Sequence, residues 1–478
     1  MITLELDNVY LRIVGIDERD EMEIWNRLSF KVEVFGQAEP RYRHLYNRKT
    51  KKAYAGLFKY VVEYLDAEGL EYKVVDNRNR VSANANFELV KFVDAEGKIP
   101  LTQRPYQATI VDNAQEREII QAATGAGKTF IMAALIAKFN VKPVCVFADK
   151  ITLCEQLKAE FEKFLGVSVG LVGGGYDDRQ DITVFSLQSA TEDDVRDANF
   201  ILFDECHHIP SDTCRNVASW CTSAFYRIGV SATPWRDAGD DMLIEAVLSK
   251  RSPENCINAS MLIRLGFLVK PSIYFVPIKS TFKGKNYADM YNKAIVENVD
   301  RNKIVTKIAY NMVKNKKHVL VLIKNIKHGE LLKEMIAEAI GGEVKSSITV
   351  DHPKTGKPTT IRVSNVEFLS GTDNGLRRKA VIAAVKNNQC PVLVASTIAD
   401  EGLDLPILDT LILAGGGKSS TRAFQRVGRV LRLYAGKTKA IVFDFVDHTP
   451  ILRRHSRIRR KLYETEDEWD IDTFNVNP

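Results

Sequence analysis

The sequence has no run of about 18 consecutive apolar residues, and its start lacks the basic-then-apolar layout of a secretory signal. These absences argue against a membrane-spanning helix and against secretion, so we expect an intracellular protein. Seven cysteines are scattered over 478 residues, and an odd number at irregular spacing favours reduced thiols over a disulfide framework. Low-complexity tracts and internal repeats are also missing, so the whole chain is expected to fold.

Positive charge is only slightly in excess, since 67 lysines and arginines against 61 aspartates and glutamates give a net charge of +6. The distribution of charge is more informative. Residues 41–52 contain six lysines and arginines and no acid, and residues 453–461 contain six in nine positions. Such runs are typical of surfaces that face phosphate groups, although a solvated face or tail has the same composition.

The length exceeds the size of one hydrophobic core, which predicts two or three domains. Short β-branched, apolar runs alternate with helical patterns, as in parallel sheets covered on both faces. They form two series: residues 118–122, 144–148, 182–186, 200–203 and 226–230, and then residues 318–323, 366–370, 391–395, 410–414 and 440–445. The sequence therefore predicts an α/β fold with two tandem parallel-sheet lobes.

The ends of these lobes are marked by changes of pattern. Residues 1–95 alternate strand-like patterns around one amphipathic stretch, which predicts a small α+β accessory domain. The breaks at Gly266 and Pro271 place the boundary between the lobes near residue 268. We therefore predict that the lobes span residues 96–268 and 269–478.

A strand, a glycine-containing loop and an apolar helix succeed each other around residues 122–129, the context that a P-loop requires. Ala122 stands where the general pattern has its first glycine. Lys128 is expected to reach the β- and γ-phosphates of a nucleotide and Thr129 to bind Mg²⁺. The backbone that surrounds the phosphates belongs to Thr124, Gly125, Ala126 and Gly127.

Two adjacent acids, Asp204 and Glu205, follow the predicted strand 200–203. Ligands of parallel sheets bind at the carboxyl ends of strands. Asp204 is therefore expected to hold Mg²⁺ and Glu205 to orient or deprotonate the attacking water. The nearby group Cys206, His207, His208, Cys214 and Cys221 fits no common zinc spacing, and we do not predict a zinc site there.

The motif set resembles one family. Asp204-Glu205-Cys206-His207, Ser231-Ala232-Thr233 and residues 425–432 (QRVGRVLR) match motifs II, III and VI of superfamily 2 helicases in order. The resemblance covers about residues 97–450 and looks closest to the XPB-like and phage UvsW-like DNA helicases. It implies two RecA-like lobes, ATP and Mg²⁺ as cofactors, and a monomer acting on branched and single-stranded DNA. It also implies a bacterial, archaeal or phage-infected cytoplasm and no membrane association.

The resemblance also implies roles for single residues. Arg104 and Gln107 match the adenine-reading segment, and Gly402 and Asp404 of motif V should approach the nucleotide and its sugar. Gln425, Arg429 and Arg432 are expected on one helical face, with both arginines acting as arginine fingers across a cleft that closes for hydrolysis. The strand-gripping residues would be Lys150, Gln188, Lys324, Asn325, Ser370, Thr372, Ser396 and Thr397. Ordinary turn chemistry is the alternative for the polar loop residues.

Two further segments carry predicted DNA contacts. Residues 43–69 resemble the segment that precedes the motor and contacts duplex DNA in the same helicases. In the overlapping basic run 41–52 we expect Arg41, Arg43 and Arg48 to contact DNA, and Tyr42, Tyr46 or Tyr54 to stack on an unpaired base. Residues 343–366 are typical of a β-hairpin inserted in the second lobe, with Lys354 and Lys357 at its tip. This hairpin is either decorative or a pin that separates strands.

Together these features predict an ATP-dependent DNA helicase or translocase that remodels forks and Holliday junctions, moving 3′ to 5′ by family resemblance. The motor of a restriction or repair complex is an alternative that would need a nuclease elsewhere. An RNA helicase is a third possibility, weakened by the absence of a DEAD sequence. A binding module without catalysis is disfavoured by the intact Lys128, Glu205, Arg429 and Arg432.

Overall fold

The computed structural model describes residues 1–32, 41–87, 90, 104–236, 239–351, 356–396, 405–417 and 420–474. The chain divides into two compact units, Met1–Asn258 and Ala259–Pro478. Among the predicted site residues, Lys354, Thr397, Gly402 and Asp404 lie outside the described residues. No helix in the described ranges is both long and apolar enough to cross a membrane.

The first unit begins with an α+β module built on a four-stranded sheet of order β5-β2-β1-β6. Its strands are β1 (Ile2–Leu6), β2 (Tyr10–Val14), β3 (Ser29–Val32), β4 (Arg41–His44), β5 (Lys52–Tyr54) and β6 (Tyr72–Asp76), and its helices are α1 (Glu18–Arg27) and α2 (Phe58–Ala67). Strands β3 and β4 form a separate antiparallel pair. Alternate residues of β1, including Leu4, are buried against the helices, which is the pattern of a half-buried strand.

The rest of the first unit is an eight-stranded sheet of order β10-β9-β11-β8-β12-β13-β7-β14. Its strands are β7 (Arg117–Ala122), β8 (Val144–Ala148), β9 (Gly170–Gly173), β10 (Tyr176–Asp178), β11 (Ile182–Ser186), β12 (Phe200–Asp204), β13 (Tyr226–Ser231) and β14 (Cys256–Ile257). Its helices are α3 (Pro105–Asn113), α4 (Lys128–Phe139), α5 (Ile151–Leu165), α6 (Glu192–Val195), α7 (Asp212–Trp220) and α8 (Met242–Val247). All neighbouring strands are parallel except β9 and β10.

The N-terminal module packs directly on this sheet domain through helix α8. A Cβ atom on Gly56 would lie 2.5 Å from the carbonyl oxygen of Ala246, so only glycine permits this approach. The buried guanidinium of Arg117, on β7, donates to the carbonyl oxygens of Asn8 and Val247. Module and sheet domain therefore belong to one compact unit.

The second unit contains a seven-stranded, fully parallel sheet of order β19-β20-β16-β21-β22-β15-β23. Its strands are β15 (Lys270–Ile278), β16 (Val319–Leu322), β19 (Val366–Leu369), β20 (Val392–Ala395), β21 (Thr410–Leu413), β22 (Lys439–Asp447) and β23 (Asp470–Thr473). Its helices are α9 (Ala259–Arg264), α10 (Tyr287–Tyr291), α11 (Val299–Lys314), α12 (Ile326–Ala339), α13 (Gly375–Lys386), α14 (Ser420–Val430) and α15 (Pro450–Tyr463).

Strands β17 (Lys345–Asp351) and β18 (Pro358–Ser364) form the hairpin expected between β16 and β19. Their antiparallel register pairs Ile348 with Ile361. Ile348 and Val363 are buried, and both strands contact α13. The base of the hairpin is therefore part of the hydrophobic core of the second unit.

All ten predicted strands of the two lobes form, and the predicted α/β fold with parallel sheets is confirmed. The division into compact units falls after Asn258, before the boundary predicted near residue 268. The reason is that α9 packs within the second unit, where the amide of Ser260 donates to the Glu466 carboxylate. Strand β15 contains Pro271 and Pro277, which lack the amide hydrogen that a central strand uses. Its neighbour β23 pairs only with residues 272–275, so neither proline has to donate to it.

Candidate active site and nucleic-acid interface

The P-loop connects β7 to α4 at the carboxyl end of the first parallel sheet. Gly125 and Gly127 adopt positive φ angles of 92° and 79°, a left-handed conformation that favours glycine. Helix α4 begins at Lys128, and its apolar residues are buried on all sides between the sheet and its neighbours. The loop therefore presents its backbone amides and the helix N-terminus to one point, as phosphate binding requires.

The predicted adenine-reading residues lie against this loop. Gln107 is 5% exposed, and its side chain donates to the carbonyl oxygen of Ala126 at 2.8 Å. Arg104 donates to the carbonyl oxygen of Gly125 at 3.1 Å and to the Tyr106 hydroxyl at 2.9 Å. These contacts hold the P-loop backbone, and base reading by Gln107 stays a prediction.

The acidic pair stands at the carboxyl end of β12, with Asp204 as its last residue, two strands away from β7 in the sheet. The ammonium of Lys128 forms an ion pair with Glu205. Burial raises the pKa of Asp204 to about 6, although the charge of Lys128 opposes this shift. Burial also opposes the charge on Glu205, but Lys128 and His207 outweigh it and hold the pKa of Glu205 well below its ordinary value. Glu205 is therefore ionised at neutral pH, as a group that orients water must be.

A hydrogen-bonded group formed by His207 and Ser231 holds Glu205 from its other side. The Ser231 hydroxyl donates to Glu205 Oε2 at 3.1 Å, and His207 Nδ1 lies 3.0 Å from Ser231 Oγ and 3.3 Å from Glu205 Oε2. Motif III thus contacts Glu205 directly, through Ser231. No role was predicted for His207 from the sequence, although its position directly after the acidic pair and Cys206 could have indicated a contact with Glu205. Glu205 itself has a φ of 48°, which is strained for a residue other than glycine.

A magnesium ion is implied by this class of site, and the residues present fit it. Thr129 directly follows Lys128, and Asp204 directly precedes the Glu205 that Lys128 contacts. One hydroxyl and one carboxylate are suitable oxygen ligands for Mg²⁺, which usually takes its remaining ligands from phosphates and water. Within the described ranges no group of three or more His, Cys, Asp or Glu side chains could hold a metal by itself.

The motif VI helix α14 ends at Val430, earlier than expected. Gln425 and Arg429 lie on this helix four residues apart, but Arg432 lies beyond its end. Residue 432 instead forms an antiparallel bridge with Leu268, and the amide of Val269 donates to the carbonyl oxygen of Leu431 at 2.8 Å. The prediction that all three residues share one helical face is therefore wrong, because this pairing draws the chain out of the helix.

The predicted strand-gripping residues of the first unit meet at one edge of its sheet. Gln188 is exposed and donates to Asp149 Oδ1 at 3.0 Å, which joins its loop to the loop that carries Lys150. The underlying strands β8 and β11 are neighbours, with Ala148 paired to Ser186. Parallel pairing thus brings together two segments that are distant in sequence.

The predicted gripping residues of the second unit also serve local structure. Asn325 caps α12 by accepting the amide of His328. Ser370 and Thr372 form a hydroxyl pair with 2.8 Å between their oxygens, in a turn closed by Asp373. Ser396 is buried and its amide donates to Leu369. Among the described members of this set, Lys324 and Thr372 are exposed, and the ammonium of Lys324 lies 5.4 Å from the ring centre of Tyr291. DNA contacts by these residues stay predictions.

The basic run 41–52 divides into buried and exposed parts. Tyr46 is 2% exposed and its hydroxyl donates to Glu21, so the suggestion that it stacks on a base is wrong. Arg48 pairs with the same carboxylate, with 3.6 Å between Arg48 Nε and Glu21 Oε2. Arg41, Tyr42 and Arg43 are exposed on β4.

A groove of about 490 Å³ lies beside this run, within the first unit. Trp25 and His44 stack at its wall with ring centres 3.3 Å apart. Its cationic lining consists of Arg43, Arg48, Lys49 and, from α7, Arg215. The groove therefore combines a concave shape with positive charge and an aromatic surface.

The second basic run, residues 453–461, lies on α15, and one of its arginines is not available to phosphate. Arg459 is 3% exposed and forms a bidentate ion pair with Asp444 at 2.6 and 2.8 Å. The expectation of a phosphate-facing surface is wrong for this residue. Arg453, Arg454, Arg457 and Lys461 are exposed, so the helix retains one basic face.

A P-loop and an acidic pair on one parallel sheet, with an arginine-bearing helix on a second, define a two-lobed P-loop ATPase of the helicase type. The domain family described as type III restriction enzyme, res subunit, matches residues 98–236. The helicase conserved C-terminal domain matches residues 300–434. The chain belongs to the superfamily 2 helicases, in the XPB-like and UvsW-like group, and is an ATP-hydrolysing helicase.

Individual relatives agree with this family. The DNA 3′-5′ translocase XPB2 of Sulfurisphaera tokodaii is 27% identical over 439 residues, which cover 86% of this chain and 94% of that protein. The ATP-dependent DNA helicase uvsW of Enterobacteria phage T4 is 21% identical over 371 residues, covering 72% of this chain and 68% of that protein. The crystal structure of the DUF1998 helicase MrfA bound to DNA matches with a TM-score of 0.54 at 15% identity, over 84% of this chain and 53% of that chain. This last likeness concerns the fold alone.

Proposed function

We propose that the protein is a DNA motor that uses ATP and Mg²⁺ to move 3′ to 5′ and remodel branched DNA such as forks and four-way junctions. The observation that carries this proposal is the basic, aromatic-walled groove beside the ATPase sheet, which offers a DNA contact separate from the motor loops. The direction of movement is that of the similar DNA 3′-5′ translocase XPB2.

In the ATPase cycle, Lys128 would exchange its contact with Glu205 for the β- and γ-phosphates. Glu205, released from the lysine and still held by Ser231 and His207, would then orient the attacking water. Thr129 and Asp204 would hold Mg²⁺, which neutralises phosphate charge when it is bound. We assign to Arg429 and Arg432 the role of stabilising the negative charge that develops on the transferred phosphoryl group.

For DNA, we infer that Lys150 and Gln188 contact one strand from the first unit and Lys324 contacts it from the second. We expect these residues to contact backbone phosphates, because the ammonium groups of the two lysines and the amide of Gln188 can all donate hydrogen bonds to phosphate oxygens. Arg43 and Lys49 would bind the duplex near a branch, because both line the groove and neither forms an ion pair with a described residue. Tyr42, which is 59% exposed, is available for stacking on a base.

The function can be tested by measuring ATPase stimulation with single strands, duplex, forks, four-way junctions and RNA at one fixed salt concentration. We expect forks and junctions to stimulate more strongly than linear duplex of the same length. The same series with Arg43→Gln/Lys49→Gln should lose this preference, while stimulation by single strands persists. Deletion of residues 1–95 is a poor alternative, because it would remove the Asn8 carbonyl that accepts from the buried Arg117 and would uncover the surface of α8 on which Gly56 packs. Stimulation by RNA alone, or no difference between branched and linear duplex, would refute the proposal.

A motor subunit of a restriction complex is the second candidate, favoured by the family match over residues 98–236. Such a motor would translocate along linear duplex and would have no preference for branches. The substrate series therefore separates the two candidates: stimulation proportional to duplex length, without a branch effect, would favour the restriction motor.

The hairpin formed by β17 and β18 is proposed to guide or separate strands, with the exposed Lys357 near its tip. Replacing residues 349–360 by an Asn-Gly turn would keep the pair Ile348–Ile361 and the buried base on α13. We expect DNA-stimulated ATP hydrolysis to survive, because the P-loop lies in the other unit. Fork unwinding should fall at least about tenfold, equivalent to roughly 1.4 kcal/mol of barrier.

Both activities should be measured on one preparation at matched DNA saturation. Lys357→Ala in the full-length hairpin serves as the control for charge alone. Full retention of unwinding would make the hairpin decorative. Equal loss of unwinding and ATP hydrolysis would mean that the shortened hairpin had damaged the second unit.

A further inference from the structure

A glycine loop, residues 415–417, leads from β21 towards the motif VI helix α14, and buried side chains hold it. The Tyr291 hydroxyl donates to the carbonyl oxygen of Gly415 at 2.7 Å, and Arg459 donates to that of Gly417 at 2.7 Å. Gly416 and Gly417 adopt positive φ angles of 55° and 129°. Two hydrogen bonds therefore fix a backbone segment that would otherwise have wide conformational freedom.

Arg459 is itself held firmly. Its guanidinium makes a bidentate ion pair with Asp444 at 2.6 and 2.8 Å, and the Tyr463 hydroxyl donates to the same carboxylate at 3.0 Å. All three side chains are buried. The planar guanidinium donates along one edge to the carboxylate and through a further N–H to the Gly417 carbonyl, and these contacts fix its orientation. A lysine could not reproduce this geometry.

A second contact reaches the motif VI helix itself. Trp469 stacks on Phe424 of α14 with ring centres 4.9 Å apart and planes inclined by 21°. Tyr463, at the end of α15, lies 5.7 Å from Trp469. Phe424 directly precedes Gln425, the first of the assigned catalytic side chains. Residues 450–469 thus contact both α14 and the loop that precedes it.

We propose that Arg459 and Trp469 are positioning residues that set the orientation of the motif VI helix, and so place Arg429 on that helix and Arg432 just beyond its end for hydrolysis. This inference rests on the function proposed for those two arginines. A transition state responds to displacements of catalytic groups by a fraction of an ångström, whereas ground-state nucleotide binding is far more tolerant. Loosening the helix should therefore lower kcat more than it alters the KM for ATP.

The test compares Trp469→Leu with Trp469→Phe and Phe474→Leu in the full chain. Phe474 is a matched control because it lies in the same C-terminal segment but packs against Tyr274 and Phe443 of the sheet. With saturating DNA, Trp469→Leu should lower kcat at least about tenfold while the KM for ATP changes by less than about threefold. Trp469→Phe, which keeps a stacking ring, and Phe474→Leu should stay within about threefold of wild type in kcat.

Melting temperatures of all three variants show whether the loss follows stability. Equal kcat losses in Trp469→Leu and Phe474→Leu, or a loss confined to KM, would overturn the proposal. Arg459→Lys is the second variant, since it keeps a positive charge beside Asp444 but lacks the planar guanidinium that reaches both Asp444 oxygens and the Gly417 carbonyl in one fixed geometry. Its kcat should fall in the same way, and an unchanged kcat would count against Arg459. A wild-type chain without DNA-stimulated ATP turnover would instead contradict the proposed function, so the two failures are distinguishable.

Discussion

Lys128→Ala is expected to abolish ATP turnover, with a loss of about 10³-fold or more. The lysine begins α4 at the P-loop, and no other ammonium is assigned to the β- and γ-phosphates. Its removal would also leave the half-buried Glu205 without its ion-pair partner, so the pKa of Glu205 should rise towards its ordinary value. A rise in pKa would favour protonation of the group that orients water, which adds to the loss of rate.

Binding of DNA by Lys128→Ala should stay close to wild type, because the proposed DNA contacts lie in other loops and in the N-terminal groove. The measurement is steady-state ATP hydrolysis together with a DNA titration at the same salt concentration. Lys142→Ala is a suitable control, since it removes an exposed ammonium that pairs with Asp181 in the same unit. Turnover within a few fold of wild type would show that the P-loop assignment is wrong.

Much of the motor could be predicted from sequence because its chemistry depends on residues that are close together in the chain. The P-loop joins one strand to the next helix, and the acidic pair ends a single apolar strand. Their mutual contact could also be expected, since parallel strands end at the same edge of a sheet. His207 was missed because its partners, Ser231 and Glu205, meet only after β12 and β13 pair.

Two of the errors share a physical origin, which is that a charged or polar run does not reveal which side chains are buried. Tyr46 and Arg459 lie within basic runs, yet Glu21 and Asp444, which are distant in sequence, satisfy them inside the core. A signal for Arg459 was present: Leu452, Arg459 and Tyr463 are spaced as one helical stripe, and all three are buried. Arg432 was misplaced because a bridge to residue 268, invisible to local periodicity, ends the helix first.

Arg429→Ala and Arg432→Ala are expected to reduce the rate of hydrolysis by about 10³-fold or more each, with nucleotide affinity changed by less than about threefold. Arginine fingers act on charge that develops in the transition state, so their loss affects kcat and leaves ground-state binding largely intact. Arg429→Lys should not restore the rate, because a single ammonium cannot reproduce the planar, two-pronged contact of a guanidinium.

The structure adds a distinction between the two arginines. Arg429 lies on α14, whereas Arg432 lies in the segment that pairs with Leu268. Substitution of Arg422, an exposed arginine on the same helix, is the matched control and should leave hydrolysis within about twofold of wild type. Single-turnover hydrolysis and equilibrium binding of a fluorescent ATP analogue should be measured on each variant at saturating DNA.

If affinity and rate fell by the same factor, the arginines would be ground-state ligands of the phosphates. If only Arg429→Ala lost activity, the bridge to Leu268 would have to be the main role of the segment around Arg432, and a single residue would supply the catalytic charge.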